Sequence, residues 1–201
     1  MKSGEIFRVP VGSARYGQRL DSSDIDIFVL SADSNFRPEN EAGVSWFVWS
    51  IADVYRHWGH PVLFEDLTGD CTGNKQVCAF LRKYRGDIAY AAPVQAVRFG
   101  LEYIADGERY QYTSPIKAGL RTAMILAHMA ERREDPFLLD EDEKAILIRA
   151  RTGGVPPEER AEIYRRTICP ENLDKLRRMP ENTTIKAELF ALLDEIKEER
   201  T

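Results

Sequence analysis

The sequence contains few residues of the kinds that would point to extracellular or thiolate-metal chemistry. It has three cysteines, Cys71, Cys78 and Cys169, whose odd number and scattered positions exclude a disulfide scaffold and do not match zinc-binding spacing. Its three histidines also show no spacing typical of metal ligands. We therefore expect reduced thiols in a cytoplasmic protein.

Long apolar runs and an excess of positive charge are also absent. No run approaches the length that spans a bilayer, and residues 1–5 show no secretory signal pattern before the first apolar segment. The 28 Lys and Arg against 33 Asp and Glu give a net charge of −5. We expect no membrane partner and no wholly basic nucleic-acid surface, although a local basic patch is compatible with this balance.

What is present is an ordinary globular composition, with 201 residues of which 43% are hydrophobic and 30% charged. Apolar segments at 6–11 and 24–30 predict two strands, and residues 62–64 a third, short one. Residues 44–58 show helical spacing, but 44–49 could equally form a strand. Helical patterns cover most of the chain after residue 76. We expect an α+β fold, with a small mixed sheet flanked by helices over 1–114 and a C-terminal helical region over 115–201 packed on that core.

The most informative stretch runs from residue 11 to residue 29, between the first two predicted strands. Gly12 allows close approach of the backbone to a ligand, and Ser13 offers a hydroxyl and a peptide N–H where a helical turn is expected at 13–18. Asp24 and Asp26 are two residues apart, so an extended chain points both carboxylates to one face. Paired carboxylates beside a phosphate-binding turn predict a Mg²⁺ or Mn²⁺ site that receives further oxygens from a substrate.

The order Gly12-Ser13, Gly17 and Ser23-Asp24-Ile25-Asp26 resembles the signature of the polymerase-beta-like nucleotidyltransferase superfamily. The resemblance implies transfer of a nucleoside monophosphate from a nucleoside triphosphate such as ATP to a hydroxyl on an RNA end, including tRNA, on a protein side chain or on a small molecule. Asp24 and Asp26 would then bind the metal ion. The residues expected to hold the nucleotide are Gly12, Ser13, Arg15 and Ser23.

In the superfamily a third acid on a neighbouring strand completes the catalytic set. The candidates here are Glu65 or Asp66, at the end of the segment 62–64, and Glu41, before the segment that begins at Val44. Segments 59–65, 95–104, 117–123 and 142–154 are similar to a group of bacterial and phage predicted nucleotidyltransferases. That group has an Asp where the strand near Val44 begins, a place taken here by Gly43 or its neighbours. The alternative is a catalytically lapsed member that binds a nucleotide or a protein partner.

Two further groups of side chains leave a choice between a structural and a binding role. An aromatic cluster could form buried core or stack a base; its members are Trp46, Phe47, Trp49, Tyr55 and Trp58. Basic residues on the predicted helices could be solvated or could contact a triphosphate or a polynucleotide. These are Arg82, Lys83, Arg85, Lys117 and Arg121.

Overall fold

The computed structural model describes residues 4–11, 24–109 and 113–199, and over these ranges the chain has the expected α+β fold. The strands are β1 (Glu5–Pro10), β2 (Ile25–Ser31), β3 (Val44–Ser50) and β4 (Thr72–Gly73). The helices are α1 (Ile51–Arg56), α2 (Pro61–Leu67), α3 (Lys75–Lys83), α4 (Pro93–Arg109), α5 (Thr113–Ala130), α6 (Glu141–Arg151), α7 (Pro157–Thr167), α8 (Pro170–Arg178) and α9 (Thr183–Glu198), with a 3₁₀ helix at Asp87–Ala91. In the described ranges, no helix has the length and apolarity needed to cross a membrane.

The chain divides into two compact units. The first comprises Met1–Trp58, Leu63–Arg85 and Thr183–Thr201. The second comprises Gly59–Val62 and Gly86–Asn182. Each unit is therefore discontinuous in sequence.

The first unit contains a mixed sheet with the strand order β3-β2-β1-β4. β1 runs antiparallel to β2 and to β4, whereas β2 and β3 are parallel. Parallel neighbours need a crossover of about a dozen residues or more. Residues 32–43 supply this crossover without forming a helix or a strand. The connection brings the start of β3 alongside the start of β2.

One face of this sheet forms the core of the first unit. Paired residues of neighbouring strands point to the same side, so Phe7, Phe28 and Leu30 share this face, and all three are almost completely buried. The rings of Phe7 and Phe28 lie 6.0 Å apart. His57, directly after α1, contacts the ring of Trp49 edge-on at 5.1 Å. The opposite face is also partly covered, because Val29, which pairs with Arg8, is fully buried as well.

The change from β3 to α1 is encoded by a capping box. The backbone N–H of Asp53 donates to Ser50 Oγ at 3.2 Å, and the backbone N–H of Ser50 donates to Asp53 Oδ2 at 2.9 Å. This second bond is the main reason why the pKa of Asp53 lies below its usual value. Of the two interpretations of residues 44–49, the strand is therefore correct, and the helix begins only at Ile51.

The predicted strand over residues 62–64 is wrong, because these residues lie in α2. Pro61 occupies the first position of this helix, where its missing N–H needs no partner and its fixed φ favours helix initiation. A short apolar run does not by itself distinguish a buried strand from a buried helix. The correction places Glu65 inside a helix instead of at the end of a strand.

The last helix of the sequence belongs to the first unit. Phe190 of α9 contacts the ring of Tyr55 at 4.2 Å and the ring of Trp58 at 5.2 Å. The hydroxyl of Tyr55 donates to Asp194 Oδ1 at 2.7 Å. Burial, followed by this hydrogen bond, raises the pKa of Tyr55. Aromatic side chains in α1 and just after it are thus covered by a helix far away in sequence.

The second unit is helical, in agreement with the helical patterns predicted after residue 76, and it includes α5, α6 and α7. α4 and α5 approach closely at Gly100, where a Cβ would stand 2.7 Å from the side chain of Leu126. The buried ring of His128 on α5 connects to the start of α6. Its Nδ1 lies 2.9 Å from the carbonyl oxygen of Pro136, and its Nε2 lies 2.7 Å from Glu143 Oε1.

Candidate functional site

Asp24 and Asp26 lie at the start of β2, which pairs in parallel with the edge strand β3. Asp24 is exposed and immediately precedes the strand, whereas Asp26 is its second residue and is partly exposed. The backbone N–H of Ile25, between the two acids, donates to the carbonyl oxygen of Gly43 at 2.7 Å. The two carboxylates are therefore held at a strand end where solvent reaches them.

Ser45 of β3 adjoins both acids. It is the residue that pairs with Asp26 in the parallel register, and its Oγ donates to Asp24 Oδ2 at 3.2 Å. Gly43, with φ of 75°, forms the turn that leads into β3 and exposes an unobstructed face at its Cα. The resemblance implies a third acid on a neighbouring strand. The side chain that adjoins the two carboxylates on β3 is instead the hydroxyl of Ser45.

The end of β1 is hydrogen-bonded to the start of β2, beside the two acids. Val11 donates its backbone N–H to the carbonyl oxygen of Asp26 at 2.9 Å, continuing the antiparallel pairing of Pro10 with Ile27. Val11 directly precedes Gly12 in the sequence. The expected helical turn at 13–18 and the residues expected to hold the nucleotide lie outside the described residues; these are Gly12, Ser13, Arg15 and Ser23.

The three candidates for a third acid occupy different settings. Glu65 is 1% exposed within α2, and Asp66 follows it there with partial exposure. Glu41 is exposed in the connection before β3, and its charge contributes to raising the pKa of Arg8. Within 4–11, 24–109 and 113–199, no three Asp, Glu, His or Cys side chains form a group able to hold a metal ion. The role of Glu65 as third acid stays a prediction.

Two carboxylates at an accessible strand end fit a hard cation of the Mg²⁺ type. Such an ion is usually bound by one or two protein carboxylates and completes its octahedral shell with water and phosphate oxygens. Asp24 and Asp26 could supply the two carboxylates, and their exposure leaves room for the other ligands. Among the described residues, the donor set thus fits an ion that depends on its substrate for part of its coordination.

Sequence reasoning missed an ion pair on the opposite face of the sheet. The register of β1 shifts between Glu5 and Phe7, which places Glu5 on the same side as Arg8. Arg8 donates from Nε to Glu5 Oε1 at 2.7 Å and from Nη2 to Oε2 at 2.5 Å, and this contact is the main cause that raises the pKa of Arg8. The guanidinium carbon also lies 5.5 Å from the ring centre of Trp46.

The aromatic cluster divides between core and surface. Trp58 is 5% exposed and lies edge-on against Phe64, and Tyr55 contacts Phe190. Phe47 of β3 is instead 48% exposed. Trp58 therefore belongs to the core, whereas Phe47 stays accessible, and a base-stacking role stays a prediction.

The basic residues singled out from the sequence also fall into different environments. Arg82, Lys83 and Arg85 are exposed at the end of α3 and just beyond it, and Lys83 donates to the hydroxyl of Tyr84 at 2.8 Å. Lys117 and Arg121 lie on α5, and Arg121 is buried. A shared role for these five residues stays a prediction.

The cysteines are free thiols, as expected. Cys78 is buried in α3, and Cys71 is partly exposed before β4. Burial, together with a hydrogen bond to Cys78, raises the pKa of Cys71 to about 12. At neutral pH Cys71 is therefore a protonated thiol and a poor nucleophile.

Comparison of the chain with protein-family models, with curated proteins and with solved structures finds no match. The resemblance to nucleotidyltransferases accordingly depends on the motif residues and their spacing.

Proposed function

We propose that this protein is a metal-dependent nucleotidyltransferase, which moves a nucleoside monophosphate from a nucleoside triphosphate to a hydroxyl acceptor. The observation that carries the proposal is the position of Asp24 and Asp26 at the accessible start of β2, next to the end of β1. Paired carboxylates at a strand end, preceded by a Gly-Ser turn in the sequence, are the residue types that this chemistry requires.

In the proposed reaction, the acceptor oxygen forms a bond to the α-phosphorus. The bond between the α-phosphorus and the oxygen that bridges it to the β-phosphate breaks, so that pyrophosphate leaves. Asp24 and Asp26 would hold Mg²⁺ or Mn²⁺, which when bound neutralises charge on the phosphate oxygens. The backbone at Gly12 and Ser13 and the side chains of Arg15 and Ser23 would orient the triphosphate. The proton of the acceptor hydroxyl passes to water or to a third acid, for which Glu65 is the candidate.

The acceptor class is proposed from the resemblance alone. An RNA end, including tRNA, a protein side chain and a small-molecule hydroxyl are all compatible with the same transfer. Fold-level analogy of this kind does not choose among them. The first experiment should therefore offer macromolecular acceptors as a mixture.

A second candidate function is a lapsed nucleotidyltransferase fold that binds a nucleotide without transferring it. Ser45 favours this candidate, because it occupies the β3 position that faces Asp26 and supplies a hydroxyl instead of a carboxylate. No group of three metal-binding side chains forms among the described residues. Binding through two carboxylates would still be retained.

The test incubates the protein with each α-labelled nucleoside triphosphate, with Mg²⁺ or Mn²⁺, and with total RNA or cell lysate. Transferase activity predicts a labelled macromolecule that disappears in the Asp24→Asn, Asp26→Asn double variant. Label transfer that survives in the double variant would remove these residues from the mechanism. Metal-dependent nucleotide binding by calorimetry, without any transfer, would favour the lapsed binding protein.

A further inference from the structure

Phe47 differs from every other phenylalanine of the chain. All nine phenylalanines lie within the described ranges, and Phe47 alone is exposed, at 48%. It lies in the middle of β3, and its neighbour in the parallel register, Phe28, is completely buried. The register of β2 with β3 continues without a shift from Ile25 to Ser31, so the backbone at Phe47 is held in regular strand geometry.

The ring of Phe47 lies on the same side of the sheet as the candidate metal site. Ser45 and Phe47 are two residues apart on β3 and therefore point to one face, about 6.6 Å apart along the strand. Ser45 is the residue that pairs with Asp26 and hydrogen-bonds Asp24. Trp46 and Val48 point to the opposite face, where Arg8 lies over the indole of Trp46. Phe47 thus presents an exposed aromatic ring on the face of the sheet that bears the two acids, one step further along the strands.

We propose that Phe47 is the base-stacking residue of the nucleotide site, so that the ligand is a nucleoside triphosphate and not a simple polyphosphate. This inference rests on the proposed function, because it requires the phosphates to be held at Asp24 and Asp26. One sugar separates the phosphates of a nucleotide from its base, so the base of a triphosphate held beside Ser45 can reach the ring of Phe47 on the same face of β3. A phenyl ring offers a flat apolar surface and no hydrogen bond, and therefore favours the larger purine rings without distinguishing adenine from guanine.

The experiment compares two ligands that differ in having a base. Calorimetric titrations with excess Mn²⁺ and no acceptor measure binding of ATP and of inorganic tripolyphosphate to the full-length protein and to its variants. We expect the unaltered protein to bind ATP more tightly than tripolyphosphate. Phe47→Leu should weaken ATP binding by at least about fivefold, the lower limit for loss of one stacked base, and leave tripolyphosphate binding unchanged.

Two variants complete the design. Phe47→Trp keeps an aromatic surface and should retain ATP binding. Trp46→Leu removes an aromatic ring from the same strand but from the opposite face, and should leave ATP binding unchanged. Thermal melts of each variant verify that the fold is retained, and an exposed position such as Phe47 tolerates these replacements.

The outcomes separate the two proposals. Equal ATP affinity of Phe47→Leu and the unaltered protein would overturn the stacking role while leaving the metal-phosphate site intact. An ATP affinity of the unaltered protein no higher than its tripolyphosphate affinity would also overturn the stacking role while leaving the metal-phosphate site intact. If neither ligand binds the unaltered protein, the proposed function itself fails, and the role of Phe47 fails with it. Weakening in Phe47→Trp as large as in Phe47→Leu would also contradict stacking.

Discussion

Ser45 donates a hydrogen bond from its Oγ to Asp24 Oδ2 at 3.2 Å, from the position in β3 that pairs with Asp26. A neutral hydroxyl thus stands where a carboxylate would give three acids on two neighbouring strands. The hydrogen bond fixes one carboxylate without adding charge. If the two acids bind a divalent cation as proposed, this relationship limits the negative charge that they offer it.

Replacing Ser45 by an acid should therefore strengthen metal binding. We expect Ser45→Asp to tighten Mn²⁺ binding by about tenfold, or about 1.4 kcal/mol, because affinity for hard cations rises with the number of charged ligands. Calorimetry with Mn²⁺ measures the change. Ser45→Asn, similar in size but neutral, is the matched control and should not tighten binding. An affinity that does not change in Ser45→Asp would show that position 45 does not face the ion.

The capping box at the start of α1 gives a prediction on pH. The pKa of Asp53 is lowered, chiefly by the N–H of Ser50, relative to its ordinary value of 3.8. A carboxyl with a lower pKa in the folded state stabilises the protein above its unfolded-state pKa, and this contribution is lost as the pH falls through the folded-state pKa. Asp53→Ala should lower the free energy of unfolding by about 1 kcal/mol at neutral pH.

Thermal melts from about pH 7 to pH 2 test this prediction. The difference in Tm between the unaltered protein and Asp53→Ala should shrink as the pH falls below about 4. Arg56 lies 3.8 Å from Asp53 in an exposed pair, so Arg56→Ala should cost less than about 0.5 kcal/mol. A constant Tm difference at every pH would mean that the charge of Asp53 does not act in the cap.

The pair of Glu5 and Arg8 should contribute to the stability of the sheet. Glu5 is 1% exposed, and both of its carboxylate oxygens accept hydrogen bonds from the guanidinium of Arg8. Arg8→Met should lower the free energy of unfolding by about 1.5–3 kcal/mol, the usual range for hydrogen bonds to charged groups. Arg8→Lys should recover only part of this loss, because an ammonium does not reproduce the two parallel bonds.

Chemical denaturation followed by circular dichroism measures these losses. Arg98→Met, which removes an exposed arginine paired with Glu102 at 3.7 Å, is the control and should change stability by less than about 0.5 kcal/mol. Equal losses in Arg8→Met and Arg98→Met would argue against a special role for the pair in β1.

Gly86 should tolerate no side chain. A Cβ at this position would lie 2.0 Å from the carbonyl oxygen of Glu134, which is a backbone atom and so does not move aside cheaply. Gly86→Ala should therefore cost about 1–3 kcal/mol and lower the Tm. At Gly154 the same addition meets its nearest atom at 3.4 Å, so Gly154→Ala should be nearly neutral. Equal Tm values for the two variants would contradict this packing argument.

Local sequence patterns predict most of the elements but not those that depend on the sheet or on surface packing. The strands β1 and β2 and the long helices have apolar spacing that a short window reveals. β4 has only two residues and exists because it pairs with β1. α8 is amphipathic but mostly polar, with Leu176 as its only fully buried residue, so its sequence alone gives little sign that it packs against a core.

The same distinction applies to the candidate site. The pair Asp24 and Asp26 is visible in the sequence, because both residues and their spacing are local. The residue that faces them is set by the parallel register of β2 with β3, which places Ser45 there. The ion pair of Glu5 with Arg8 likewise depends on a register shift in β1 that no local signal announces. Pairing between strands, not propensity, decides these neighbours.

The position of α9 affects the order in which the protein can fold during translation. Tyr55 and Trp58 meet Phe190, which the ribosome releases only after the whole of Gly86–Asn182 has been synthesised. The helical unit can consequently mature on the nascent chain while the sheet-bearing unit still exposes aromatic side chains. Completion of the unit that bears Asp24 and Asp26 is thereby postponed until α9 has emerged.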